Sequence, residues 1–398
     1  MDAAELDAAD PLAPVRTRFV LPDGVIYLDG NSLGALSGGV GGRVGDVVGR
    51  QWGEDLVRAW NDDGWWQAPE RIGDRIGALI GAAPGQTVAG DSTSVQLFNM
   101  LTAAARMRDG VIVTDAGQFP TDGYIADSVG RLLGRQVVRT DDPYQALSRD
   151  GVAVLAWSTV DFRTGRRWDM AGLTAAAHDA GAVVLWDLCH AVGALPMRVD
   201  ADGVDLAVGC TYKYLSGGPG SPAFGYVARR HQAGLDLPLT GWHGHSRPFA
   251  MEPGYHPAAG AGRARIGTPP MLSLLALDAA LDVFDDVDLD AVRAKSLRLG
   301  EFFIAGADEA GFEVITPRDP EARGSHVSLR HPDALPVMAA LIEAGVIGDV
   351  RPPDVLRFGF NALYNSFGEL AAALDVLREV VTSGQYREPR FQVRQAVT

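Results

Sequence analysis

Lysine is scarce in this chain. Arginine carries nearly all the positive charge, and Lys213 and Lys295 are the only lysines. Lys213 sits at the centre of Gly209-Cys-Thr-Tyr-Lys-Tyr-Leu-Ser-Gly-Gly-Pro-Gly220, after the apolar run Val204-Asp-Leu-Ala-Val-Gly. Only a lysine amine condenses reversibly with a carbonyl, and arginine cannot take its place. A solvated loop lysine is the bland alternative, but the flanking tyrosines and glycines point to a tight, partly buried turn. Upstream, Val183-Val-Leu-Trp-Asp187-Leu-Cys-His190 reads as a buried strand with a carboxylate at its C-terminal end. In open α/β sheets that is where ligands bind. An acid on one strand end and a lysine on the next suit pyridoxal phosphate: the acid keeps the pyridine nitrogen protonated and the lysine holds the aldehyde.

Asp91-Ser-Thr-Ser-Val95 stands between a strand and a helix. Hydroxyls there usually do no more than cap the helix. Beside a carbonyl-binding lysine the same geometry suits a phosphate, with Thr93 and Ser94 as ligands. Phe119-Pro-Thr-Asp122 follows the next strand, and Phe119 is either core or a face for a flat ring. His190, three residues past Asp187, is either a structural histidine or one that orients the acid; we favour the second. His190, His243 and His245 are scattered, with no carboxylate or thiolate at ligand spacing, so no metal is expected. Arg357 stands on a strand of the C-terminal part, where it makes a surface ion pair or, turned inward, clamps a substrate carboxylate.

The elements that must position these residues follow from the pattern. Short apolar runs at 87–89, 111–114, 137–139, 152–157, 182–186 and 206–209 alternate with helical stretches at 93–106, 124–133 and 170–180. Repeated βα units imply a mainly parallel sheet with helices on both faces, and 223–227 could add an antiparallel edge strand. A glycine-studded helix is expected towards Trp52. After Pro269-Pro270 the character changes to an α+β pattern, with helices at 272–284, 289–305, 336–344 and 367–381 and strands at 312–315, 326–329 and 355–360. This gives a large domain at 60–275 and a small α+β domain at 276–398. Residues 1–59 pack against the small domain, and a polar tail after Ser383 lies along the surface. The formal charge of −15 argues against a nucleic-acid or anionic-membrane partner. Two cysteines, Cys189 and Cys210, cannot make a disulfide framework. An acidic N-terminus without a signal pattern places the protein in the cytoplasm.

Taken together, eight stretches resemble the kynureninase family. They are Tyr-Leu-Asp-Gly-Asn-Ser-Leu-Gly (27–34), Asp-Ser-Thr-Ser (91–94), Phe-Pro-Thr-Asp (119–122) and Trp-Asp-Leu-Cys-His (186–190). The set continues with Gly-Cys-Thr-Tyr-Lys-Tyr-Leu (209–215), Gly-Trp-His-Gly-His (241–245), Gly-Thr-Pro-Pro (267–270) and Arg-Phe-Gly-Phe (357–360). The likeness runs from Tyr27 to the C-terminal Phe391-Gln-Val-Arg. It implies a fold-type I pyridoxal-phosphate enzyme, transferase-like, with a seven-stranded sheet. The implied reaction is hydrolysis of L-kynurenine, or of 3-hydroxykynurenine or another ring-substituted kynurenine, to an anthranilate and L-alanine, a step of tryptophan catabolism. Lys213, Tyr212 and Asp187 would be catalytic. Thr93, Ser94, Phe119, Pro120, Thr121, Asp122, Ser158, Asp187, His190, Tyr212 and Lys213 would surround the cofactor. Trp242 and Thr268 would reach the phosphate from the second subunit of a homodimer, and Asn31, His243 and Arg357 would meet the substrate. The sequence leaves the family pattern at three places. His243 stands in place of phenylalanine, Ser216 in place of asparagine, and Asp161-Phe-Arg-Thr-Gly165 differs from the usual version. Another fold-type I activity, such as an aminotransferase or cysteine desulfurase, and a cofactor-free binding protein are the alternatives.

Overall fold

The computed structural model describes residues 2–393. Seven strands form one sheet in the spatial order Thr87–Ala89, Phe224–Val227, Leu206–Gly209, Val183–Asp187, Val152–Ser158, Val111–Asp115 and Val137–Thr140. All neighbours run parallel except at Phe224–Val227, which is antiparallel to both its partners. The expected antiparallel strand is therefore interior, not an edge. Thr87–Ala89 pairs along its outer side, and its own four residues are all buried. Alternate side chains of one strand serve opposite faces. Val184 and Trp186 enter one hydrophobic core, while Val183 and Leu185 enter the other. Helices cover both faces, which is why the strands read as continuous apolar runs.

The connecting helices start where their sequences say they should. Ser92 accepts from the Val95 amide at the head of Thr93–Met107, and Asp169 from the Gly172 amide at the head of Met170–Asp179. Pro120 opens Pro120–Leu133, whose left-handed C-cap (φ 64°) is filled by Gly134.

A second, antiparallel sheet has the order Glu313–Val314, His326–Arg330, Val355–Gly359, Asp349–Arg351. The last of these strands was not legible in the sequence, because its three residues carry a charge at either end and no apolar run marks it. Leu289–Glu309, Ala334–Glu343 and Phe367–Ser383 are the helices of this part of the chain. The N-terminal segment is pinned to the same layer. Ile26–Tyr27 pairs in parallel with Val346–Ile347, and Asp29 bridges Gly359. Asp7 accepts from the amides of Phe367 and Gly368, and Arg16 pairs with Glu369 at 2.6 Å. The glycine-studded helix is α-helical over Gly38–Asp46 and then coils more widely over Val47–Asp55, a stretch of low intrinsic helix propensity. The tail after Ser383 departs from expectation: Tyr386 and Phe391 are buried, so the chain is anchored and does not merely lie on the surface. Residues 394–398 of that tail lie outside the described residues. Among the described residues, no helix is long and apolar enough to cross a membrane.

Lys295, the second lysine, lies on the helix Leu289–Glu309 with only 5% of its side chain exposed, and it meets the equally buried Asp10 at 2.7 Å. Burial depresses its ammonium below the usual lysine range, and Asp10 opposes that shift. Removing one partner strands the other charge. Lys295→Ala should lower stability by about 3–5 kcal/mol, and Lys295→Met with Asp10→Leu should recover most of that loss, read from urea midpoints.

Candidate active site

Two neighbouring strands of the large sheet end side by side and turn into the site. Val183–Asp187 delivers Asp187 at its C-terminus. Leu206–Gly209 delivers the turn that carries Tyr212 and Lys213. The turn is held from outside. The Gly34 amide donates to the Tyr212 carbonyl at 2.7 Å, and Gly34 lies so close that a β-carbon there would collide with the Lys213 carbonyl and Ser216. Ser216 itself sits at φ 55°. That left-handed conformation is easier for asparagine, the residue of the family pattern expected here, than for serine.

A cleft of about 340 Å³ opens at these strand ends, walled by Thr93, Ser94, Phe119, Thr121, Asp122, Asp187, His190, Tyr212 and Lys213, together with Ser32, Leu97, Cys189 and Arg351. That volume is within the range of small-molecule sites, roughly 300–1,000 Å³. Lys213 Nζ lies 3.1 Å from His190 Nε2. Burial, and then the charge of Lys213, holds the His190 imidazole well below its usual range. His190 is therefore neutral and accepts from the lysine. In this structure it contacts Lys213 and not the carboxylate of Asp187.

Asp187 Oδ1 accepts from the Cys189 amide at 2.7 Å, and Ser158 Oγ is 3.5 Å from Oδ2. Asp122 approaches from the head of Pro120–Leu133. Burial, then the charge of Asp187 and a hydrogen bond to it, push the Asp122 carboxyl well above the usual carboxylate range. Asp122 thus keeps its proton beside Asp187. Burial, followed by the Cys210 and Cys189 thiols, raises the Tyr212 phenol, so it rests protonated with a hydrogen to donate. Thr93 and Ser94 are the first two residues of their helix, where amide hydrogens are free of intrahelical partners. Phe119 is 43% exposed and touches Phe162 edge-on, with ring centroids 5.4 Å apart. Pro120 starts its helix and is not part of the wall.

The expected substrate residues are placed less directly. Arg357 is completely buried. Its Nε donates to Asp349 Oδ1 at 2.7 Å, its Nη2 to Asp349 Oδ2 and to Ser32 Oγ (2.9 Å), and its Nη1 to the Phe162 carbonyl at 2.7 Å. The free inward clamp expected from the sequence is thus an arginine with four of its five N–H groups already engaged by its neighbours. The guanidinium that faces the cleft belongs to Arg351, which donates to Asp349 Oδ2 at 2.6 Å. Asn31 is also fully buried and lies outside the wall. With its amide set to satisfy both sides, its oxygen accepts from Arg357 Nε at 3.1 Å and its nitrogen donates to Asp29 at 3.2 Å. Arg351, Asp349 and Ser32 were missed. The available signal was Asp349-Val-Arg351, two charges at the i, i+2 spacing that shares one face of a strand, with Asp349 directly opposite Arg357 across the sheet.

Trp242 and Thr268 do not line the cleft of their own chain. Trp242 is 42% exposed beside Trp66 and Phe249. His243 is completely buried against Trp66, with ring centroids 4.4 Å apart, and neither ring nitrogen has a partner among the described residues. Burial and then Arg265 lower its imidazole to about 4.

Comparison with known proteins agrees with this geometry. The chain is 45% identical over its whole length to the kynureninases of Burkholderia pseudomallei (strain 1106a) and Pseudomonas fluorescens, covering 99% of each. The family model of the kynureninase C-terminal domain matches residues 292–377. Among solved structures, the chain superposes on the cysteine desulfurase of Thermococcus onnurineus NA1 with a TM-score of 0.79 (19% identity, 93% of this chain and 98% of that one). It superposes on a C-DES mutant with glycine covalently linked to its PLP cofactor with a TM-score of 0.82 (15% identity, 92% and 99%). At such identities these structures speak for the fold alone.

Proposed function

The chain belongs to the kynureninase family, and from that premise we propose that the Lys213 cleft is where it hydrolyses kynurenine to an anthranilate and alanine. The observation that carries the assignment is the group of four side chains at the strand ends, Lys213 on neutral His190 with Asp187 beside a protonated Asp122. The donor set fits pyridoxal phosphate, the cofactor of this family of hydrolases. Thr93, Ser94 and the helix amides behind them would hold the phosphate, Phe119 a ring face, Asp187 the ring nitrogen and Lys213 the aldehyde carbon. Bound there, the cofactor supplies the electron sink that lets a carbon–carbon bond of an amino acid break.

This chain's own residues do the rest. Asp122, held protonated by its burial and by Asp187, leaves the Asp187 carboxylate to face a cation across the cleft. Lys213, freed when the substrate amine takes its place, moves the α-proton, and His190 Nε2 keeps its amine aimed into the cleft. Tyr212, protonated at rest, gives its proton to the strongly basic centre that forms in the cleft and recovers it afterwards. The Arg351–Asp349–Arg357 cluster receives the α-carboxylate, with Arg351 at the wall and Arg357 fixing Asp349 and Ser32 behind it.

Trp242, His243 and Thr268 stand away from the cleft of their own chain. We infer a homodimer in which a partner brings them to it, so that each site is built from two chains. The division into 60–275 and 276–398, with 1–59 laid on the latter, belongs to the same reading. It puts lysine and acid on the large unit and the carboxylate-binding arginines on the small one.

Lys213→Ala should lose steady turnover by orders of magnitude and leave no borohydride-reducible link to cofactor. A covalent link surviving in that variant would place the carbonyl elsewhere. Arg357→Lys should raise KM for kynurenine roughly tenfold or more while leaving cofactor affinity nearly unchanged, because lysine supplies the charge but not the planar fork that pins Asp349. A histidine with two unpartnered nitrogens favours a ring that offers it a hydroxyl. His243→Phe should therefore lower kcat/KM for 3-hydroxykynurenine relative to kynurenine several-fold; an unchanged ratio would mean that His243 does not read the ring.

A further inference from the structure

Four charged side chains cluster behind the cleft wall, and Arg351 is the one that reaches the cleft. Arg351 and Arg357 are both held by Asp349, and Asp29 is the fourth. Asp29 is 6% exposed and fixed by the bridge of its backbone to Gly359. Its carboxylate has poor company. Neither arginine hydrogen-bonds to it, Asn31 stands between it and Arg357, and its remaining polar neighbour is the Ser32 hydroxyl. That hydroxyl has one proton, which goes to Asp349 Oδ2 at 2.8 Å, while its lone pairs take Arg357 Nη2 at 2.9 Å. The Asn31 amide, at 3.2 Å, is then the one side-chain donor it meets among the described residues, and a buried carboxylate with a single neutral donor and a second carboxylate beside it is most stable with a proton of its own.

We propose that Asp29 is the charge regulator of the carboxylate-binding cluster: it takes up a proton when the substrate's α-carboxylate binds and releases it when the carboxylate leaves. The proposal rests on the carboxylate site assigned above. With Asp29 ionised the cluster is two positive and two negative charges, and an incoming anion meets no net attraction. With Asp29 protonated the cluster carries one net positive charge. Anion binding and Asp29 protonation are therefore linked, each favouring the other. The other titratable groups facing the cluster are silent around neutrality. Tyr27, Tyr214 and Tyr364 are raised by burial and remain neutral phenols. His326 and His190 are lowered by burial and remain neutral imidazoles. Asp349 is lowered despite burial, first by Arg357, and remains ionised. Burial, and then the charge of Asp349, raises Asp29 to about 7. The sign follows: carboxylate affinity is full at acid pH and weakens as pH rises through that value.

The probe is 3-benzoylpropanoate, the substrate skeleton without its α-amine and ring amine, titrated into holoenzyme by calorimetry in two buffers of different ionisation enthalpy. At about pH 7 the wild type should take up about half a proton per site, and its Kd should rise up to roughly tenfold per pH unit above that. Asp29→Asn should remove that uptake, hold Kd near its acid-limit value across about pH 6–8.5, and remove the matching limb from KM but not from kcat. Any proton linkage at Lys213 persists in the variant, so the difference between the two proteins isolates Asp29. A wild-type Kd that is flat over the same range overturns the proposal without recourse to any variant. So does an Asp29→Asn protein that takes up as many protons as the parent. Absence of kynurenine turnover in the wild type at every pH would instead overturn the function assigned to the cleft.

Discussion

Asp349 is the residue on which most of the long-range organisation depends. It is buried, it binds Arg357 through both oxygens, and it also holds Arg351 and Ser32. Ser32 lies in the N-terminal segment, Asp349 and the two arginines in the small antiparallel sheet. Arg357 also reaches the Phe162 carbonyl in the large-sheet region. Charges taken out of water are tolerable only when paired with good geometry and further hydrogen bonds. That requirement forces three distant stretches to converge at one edge of the cleft. Nearby contacts continue the seam: Ser328 Oγ donates to the Arg163 carbonyl, and the Gly324 amide to the Gly165 carbonyl at 2.7 Å. Phe162, packed on Phe119, ties the seam to the opposite wall.

The large sheet imposes a different constraint. Parallel strands place their C-terminal ends together, so Asp187 and the Lys213 turn are neighbours as a consequence of topology. What the topology does not fix is charge. Asp122 sets it, by taking a proton that Asp187 would otherwise compete for. Neutral His190 sets it again, by giving Lys213 an acceptor that brings no charge of its own. The centre is thus one amine opposite one negative charge, both largely shielded from water, where electrostatic interactions are stronger than in solvent.

Legibility in the sequence followed the length of the signal. Strands of four or more residues, the three connecting helices and the strand-end lysine and acid were all readable, because apolar runs and capping residues are local. The interior position of Phe224–Val227 was not, since it depends on Thr87–Ala89 returning to pair outside it. The anchored tail was missed because its two buried aromatics are separated by polar residues. The pairing state of Arg357 was invisible for a related reason. Its partner sits on a three-residue strand, and only the cross-strand register puts Asp349 opposite it.

Two buried histidines break the local rules and mark where the chain is incomplete as an isolated unit. His243 and His326 are each almost fully buried, and each leaves both ring nitrogens without a partner among the described residues. Leaving such a group unpaired costs about 1–3 kcal/mol, and phenylalanine would avoid that loss. Native proteins keep this kind of frustration chiefly at functional sites. The two positions agree with that expectation in different ways. His326 lies behind His190, with ring centroids 5.9 Å apart, so its neutral ring backs the acceptor of Lys213. His243 lies inside the cluster of Trp66 and Trp242, sealed from solvent in its own chain. A polar ring held there at a cost in stability meets a substrate only if these tryptophans move aside, and the hydrogen bond it lacks is then the gain that opening would bring.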